Sequence, residues 1–303
     1  MSSRPRGCPE SPGISVKRRR YDGGVSSPPS KLTRAKSRLL DRIEAFRLQP
    51  DGAARLAYIP SQLVQCTFPH DDPGNVPSWS RSTPWLTVTF QPAYDGRICL
   101  GYPFGTVPRL LMFYVMTQIQ YRKNLDLPSR EKRTIHLGDS LGEFLRNIGM
   151  NPDNGSGDRS DRKRLRDQLE RFARVRVNFG SGPAFSDMLI AEDGEFWWTI
   201  HDDAADEQAS LFKSYIVLSD KFYQRVLTSL VPLDMAALDA LKTSCLKLDI
   251  YAWCLYRAHT LTRGKDEILR VTWASFMAQS GANYAHVRQF RAAVIEALPS
   301  VRP

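Results

Sequence analysis

The chain has 303 residues, 42% of them apolar, enough for one large or two ordinary domains with their own cores. It contains no run of eighteen apolar residues, so no membrane span is expected, and the basic N-terminus is not followed by the apolar stretch of a secretion signal. The net charge is +10, but residues 1–50 hold twelve Lys/Arg against four Asp/Glu; the remainder is close to neutral, and any nucleic-acid surface on the folded part must be a local one.

Five cysteines stand at 8, 66, 99, 245 and 254, with no CxxC, and the histidines at 70, 136, 201, 259 and 286 form no HxH or HxxxH. Neither a disulfide framework nor a metal site is expected, and the cytoplasm is the expected compartment. Cys245 and Cys254 fall in apolar helical patterns, as buried reduced thiols do.

Residues 1–30 are rich in Ser, Pro, Gly and Arg and carry Lys17–Arg20, which predicts a disordered basic tail. From Leu32 the apolar spacing is helical to Gln49, and a shorter helix is expected over 57–66. The Pro-rich stretch 68–82 reads as a loop, and 85–90 and 98–102 as the two strands of a hairpin across Pro92–Gly96. Residues 31–106 are thus expected to pack on a first domain, 107–200. That domain reads as helix 107–122, strand 133–137, helix 139–148 closed by Gly149, helix 158–173, strand 174–179, a turn or wing over 179–186, strand 187–190 and strand 195–200. This is the order of a winged helix. The acidic stretch 201–210 reads as a linker.

The second half, 211–303, repeats the skeleton with helices 218–230 (after a strand end), 234–241, 246–260 and 273–279, a strand at 269–272 and a last helix 284–298. The predicted fold class is therefore mainly α with small β-sheets (α+β), built as two tandem winged-helix domains. Pro299 is expected to stop the last helix, leaving the second domain truncated, without its wing and with an open sheet edge.

Two helices are candidates for DNA. In 158–173, Leu165, Leu169 and Phe172 form an apolar face, and Arg159, Arg162, Lys163 and Arg166 lie on the other side. Counting on to Arg174 and Arg176, residues 159–176 hold eight basic and three acidic side chains. The N–H groups freed at the helix start, near Ser156–Asp158, could meet a phosphate. Such a helix in the major groove reads guanine through bidentate Arg and sets register through phosphate contacts. In 284–298, Asn283, Tyr284, Arg288 and Arg291 offer a milder basic face opposite Val287, Phe290 and Val294. An ordinary solvated helix would carry the first pattern too, and a surface helix packed on the other domain the second.

Several longer runs, PHDDPG (69–74), YPFGTVPRLLM (102–112), LGDSLGEFLRNIGM (137–150), RLRDQLERF (164–172), FWW (196–198), VPLDMAALDALK (231–242), CLKLDIYAWCLYRAH (245–259) and VTWASFMAQSGANYAHVRQFRAAVIEAL (271–298), resemble the RepA-type plasmid replication initiator family. The resemblance implies tandem winged helices on repeated double-stranded origin sites, with helix-turn-helix units at 139–173 and 273–298. It also implies exchange between dimer and monomer, recruitment of the host replicative helicase or its loader, and no cofactor. A winged-helix transcription regulator or autorepressor is the alternative. A rolling-circle nickase is disfavoured because His201, Asp202, Asp203 and Tyr215 form no ligand set, and ATP hydrolysis because GKS and GKT are absent. A dimerising adaptor with incidental basic faces would bind duplexes weakly and without sequence preference.

Overall fold

The computed structural model describes residues 14–15, 56–138, 140–154, 160–196, 214–263 and 268–301. The helix expected at 32–49, the cluster Lys17–Arg20, Trp197, Trp198 and the linker 201–210 lie outside them.

In chain order the elements are β1 (Ile14–Ser15), β2 (Leu56–Pro60), α1 (Ser61–Gln65), β3 (Trp79–Ser82), β4 (Thr87–Gln91), β5 (Ala93–Asp95), β6 (Ile98–Gly101) and α2 (Thr106–Arg122). Next come α3 (Ser129–Arg133), β7 (Thr134–His136), α4 (Leu141–Asn147), α5 (Asp161–Arg174), β8 (Arg176–Ser181), β9 (Ala184–Leu189), β10 (Ala191–Glu195) and β11 (Tyr215–Leu218). The rest are α6 (Asp220–Leu227), β12 (Leu230–Asp234), α7 (Met235–Leu241), α8 (Cys245–Arg263), β13 (Arg270–Val271), α9 (Trp273–Gln279) and α10 (Val287–Val301). The fold is mixed α and β, with several small antiparallel sheets among the helices.

Local chemistry sets most helix ends. Ser140, Ser160, Ser219 and Thr272 each cap a helix by accepting from the backbone N–H three residues on. Gly149 closes α4 with φ 77°, and Met150 N–H returns to the Leu145 carbonyl, a left-handed stop that glycine tolerates best.

Long-range pairing overrides two local expectations. Residues 57–66 are not one helix: Leu56–Pro60 extend and pair antiparallel with Leu230–Asp234, leaving only a short helix from Ser61. Burial of alternate residues Ala57 and Ile59, and of Val231 and Leu233, rewards a strand there. Pro232 does precede a helix, α7, as expected, and itself lies in that second strand. The hairpin expected between 85–90 and 98–102 has other partners: β4 lies between β3 and β8, while β6 pairs with β5.

Pro299 does not stop the last helix. α10 runs on to Val301, whose side chain is buried, while Pro299 itself sits exposed, so packing of the final turn outweighs the lost backbone hydrogen bond. Within the tail expected to be disordered, Ile14 and Ser15 form β1, paired antiparallel with Val271 and Arg270. β13, in the second half whose sheet edge is expected to need covering, thus has a backbone partner from the N-terminal segment.

One continuous core runs through both halves, from Ala57 and Ile59 through α2, α4 and α5 to Leu248, Phe290 and Val301. The segment 56–101 touches both halves: β2 pairs with β12, and β3–β4 join β8–β9 in a four-stranded sheet.

Candidate nucleic-acid interface

The two candidate helices differ in how much of their charge is free. α5 buries Leu165, Leu169 and Phe172 as their spacing predicts. The helix starts at Asp161 rather than near Asp158, with Ser160 as its cap. The Asp161 carboxylate, which accepts from Asn154 Nδ2 at 3.2 Å and from Arg164 Nη1 at 2.8 Å, occupies its first turn. Residues 156–158, expected to open this helix, lie outside the described residues.

Most cations of α5 and β8 already meet an acceptor. Arg162 is half-buried and its Nε donates to the Pro152 carbonyl at 3.1 Å. Arg171 lies 3.6 Å from Asp72, Arg174 pairs with Asp95 at 2.7 Å and Arg176 with Asp187 at 2.8 Å. Lys163 is exposed and Arg166 half-buried, and each has a partner within the chain. Arg159 lies outside the described residues.

The second helix is more open. α10 begins at Val287, so Asn283 and Tyr284 belong to the loop leading into it. Phe290, Val294, Ala297 and Val301 face the core, and Asn283, His286, Arg288, Gln289 and Arg291 are exposed. Tyr284 packs edge-on to Phe290 with ring centroids 5.7 Å apart, and the Arg291 guanidinium stands 5.7 Å from the Trp273 ring centroid. No Asp or Glu occurs from residue 268 to 295; the acids near this face are Glu296, exposed on α10, and Asp71, and after burial both help to raise the Tyr284 phenol.

A buried polar network holds the turn between α9 and α10. Arg109, on α2, is 2% exposed, and Asp249, on α8, meets it in two parallel bonds, Nε to Oδ1 at 2.7 Å and Nη2 to Oδ2 at 2.8 Å. Arg109 also donates to the carbonyls of Phe68 at 2.7 Å and Gly105 at 2.6 Å. His70 Nε2 and the Thr67 hydroxyl complete the Asp249 shell at 2.8 and 2.9 Å. Burial alone would raise the Asp249 carboxyl, but the Arg109 charge and hydrogen bonds outweigh it and hold it far below the usual carboxylate range. Burial also keeps His70 below its ordinary 6.5, so it is a neutral ring donating Nε2–H.

From this anchor the 67–70 segment reaches the turn. Gly281 N–H donates to Thr67 Oγ1 at 2.7 Å, and His70 N–H donates to the Gly281 carbonyl at 2.9 Å. A Cβ on Gly281 would stand 1.7 Å from the Phe68 carbonyl oxygen, so this glycine is required by close approach and not by φ. Arg81 stacks over Trp79 at 4.1 Å and donates to the Ser280 and Ala282 carbonyls from the other side.

The sequence reading missed this network. Its signal was present: Arg109 is a charge within the apolar run VPRLLM, and Asp249 another within CLKLDIYAW. A charge on the apolar face of a helix calls for a buried partner.

Among the described residues no group of three or more His, Cys, Asp or Glu could hold a metal ion, and no helix is long and apolar enough to cross a membrane. Cys66, Cys99, Cys245 and Cys254 are free, and burial pushes the Cys254 thiol up to about 11, a poor nucleophile at neutral pH.

A family model described as plasmid encoded RepA protein matches residues 102–275. That is more than half of the chain, and the chain belongs to this family. The match covers α2 through the start of α9 and includes both members of the Arg109–Asp249 pair. No curated protein and no solved structure matches the chain.

Proposed function

We propose that this protein is a sequence-specific, non-catalytic initiator of plasmid replication that binds double-stranded DNA at its origin through two tandem winged helices, 107–200 and 211–303. The carrying observation is the arrangement of α9 and α10, which supports reading them as the second helix-turn-helix. α9 and α10 meet through a buried, clamped turn, and α10 with its leading loop exposes His286, Arg288, Gln289 and Arg291, with Glu296 as the acid further along the helix, while its apolar face is buried. Asn283, Arg288 and Arg291 are the base and phosphate contacts on this reading, with Tyr284 shaping the entry to the helix.

The first unit is the stretch from α2 to β10. There Lys163, Arg166, Arg162 and Arg159 face the DNA, and Arg174 and Arg176 meet the backbone. Their ion pairs do not oppose this. Arg174–Asp95 and Arg176–Asp187 are half-exposed, and such pairs contribute about 0–1 kcal/mol. A phosphate can displace either acid. Bound at the origin, the protein recruits the host replicative helicase or its loader and exchanges between dimer and monomer.

Footprinting over the origin of its own replicon, with salt titration and a random duplex as control, tests the reading. Protection of repeated sites is expected. Arg288→Ala and Arg291→Ala should each cost origin affinity, and a base contact should lose about 1–3 kcal/mol of discrimination at one position. Equal affinity for origin and random duplex at every salt concentration would overturn sequence-specific binding.

A further inference from the structure

The hairpin of β3 and β4 ends in a braced turn at Thr83–Leu86. The Thr83 hydroxyl accepts from the N–H groups of Trp85 at 3.2 Å and Leu86 at 2.9 Å, and Thr83 N–H donates to the Leu86 carbonyl at 2.7 Å. Leu86 is buried beneath the turn while Trp85 stands 80% exposed. A large indole held out by a braced backbone forgoes burial that its area would otherwise reward.

The position of this hairpin is fixed. Arg81, one residue before the end of β3, is bonded to the Ser280 and Ala282 carbonyls, in the turn just before Asn283. Across the sheet, register aligns Ser82, Thr87, Gly180 and Phe185, so the β8–β9 hairpin ends at the same side, with Phe185 78% exposed.

Charge selects the partner. Residues 77–94, 174–186 and 268–295 contain no Asp or Glu. The last segment exposes His286, Arg288 and Arg291. Three segments with cations and exposed aromatic rings but no acids of their own, with Asp71 and Glu296 beside Tyr284 at their edge, suit a polyanion that also offers apolar surfaces between stacked rings. Duplex DNA has both properties, and proteins that enter its minor groove drive apolar side chains between base steps.

We propose that the β3–β4 hairpin serves as a wing for the second helix-turn-helix, with Trp85 as an apolar wedge in the groove beside the site that α10 reads. The inference rests on the reading that α10 meets DNA. The wing comes from the N-terminal half of the chain, and Arg81 joins it to the recognition unit.

The test uses the full chain, an origin duplex labelled at both ends, and the variants Trp85→Ala, Trp85→Phe and the double variant Arg288→Ala/Arg291→Ala. Affinity is read by titration, bending by energy transfer between the ends, and contact by the tryptophan emission that wild type has and Trp85→Phe lacks. Trp85→Ala should melt as wild type does, bind about tenfold more weakly and bend the duplex less, with Trp85→Phe retaining most of both. The Trp85-specific emission should be quenched on duplex binding. If Trp85→Ala binds and bends like wild type while the arginine double variant is impaired, the wing is wrong and α10 still meets DNA. If the arginine double variant is also unimpaired, the underlying reading fails with it.

Discussion

Replacing Asp249 with Asn should destabilise the protein more than any surface change, because it strands a buried guanidinium. Asn keeps the shape of Asp but removes the charge that offsets the desolvation of Arg109, which is 2% exposed and which Asp249 meets at 2.7 and 2.8 Å. Breaking a buried pair from one side costs about 3–5 kcal/mol. Against a typical folding stability of roughly 5–15 kcal/mol this is a large share, and it corresponds to a fall of roughly 6–20 °C in melting temperature. Urea titrations followed by tryptophan fluorescence and far-ultraviolet dichroism measure it, with an unchanged m-value as the sign that only stability moved. The double replacement Arg109→Met with Asp249→Leu should recover part of the loss, since neither charge is then buried. Recovery stays partial because Thr67 and His70 also lose their acceptor. A cost for Asp249→Asn below about 1 kcal/mol, the range of exposed pairs, would refute the claim that this pair is desolvated.

The same network sets a pH dependence. Asp249 titrates lower in the folded than in the unfolded chain, so its contribution is complete above the unfolded carboxylate value of about 3.9 and is lost as pH falls below it. His70 is also lowered, so below about 6.5 the unfolded chain takes up a proton that the folded one refuses, and stability should already decline as pH drops from there. His70→Gln should flatten the upper part of that decline in melts taken from pH 7 to 5, and an unchanged slope would exclude His70 as its source. Gly281→Ala should cost about 2–4 kcal/mol, because a methyl at 1.7 Å from the Phe68 oxygen must part the 67–70 segment from the turn. A melting temperature equal to wild type would contradict that contact. Deleting Lys17–Arg20 should lower the salt slope of DNA binding, by up to about 3–4 if every charge meets a phosphate, and leave discrimination between origin and random duplex intact. An unchanged slope would show that the tail does not touch DNA.

Much of the helical framework was legible because its signals are local. The apolar spacing of 107–122 and 158–173 and the Ser-x-x-Glu start at Ser140 all lie within a few residues of the elements that they specify. Gly149 is a local signal too, a left-handed stop at the end of α4. Gly281, in the turn after α9, is a glycine for another reason. Its glycine is required by the Phe68 carbonyl, which belongs to a segment far away in sequence. The strand at 56–60 was illegible for the same cause: nothing near Leu56 says that Leu230–Asp234 will lie beside it and make extension worth more than a helical turn.

The functional surface divides along the same line. A sequence counts charges but does not subtract their partners. By counting, residues 159–176 were the stronger candidate, with eight basic side chains, and 283–291 the weaker. Folding brings Asp95 to Arg174, Asp187 to Arg176, Asp72 to Arg171 and the Pro152 carbonyl to Arg162, and so takes up much of the first face. The second face is offset less: residues 268–295 hold no acid, Arg288 and Arg291 are exposed, and the acids near it are Glu296 and Asp71. What decides a protein's hold on a polyanion is the charge left after the fold has made its own pairs. By that measure α10 should dominate the salt-dependent affinity, while α5, whose exposed pairs cost little to open, contributes only where a phosphate replaces its acids.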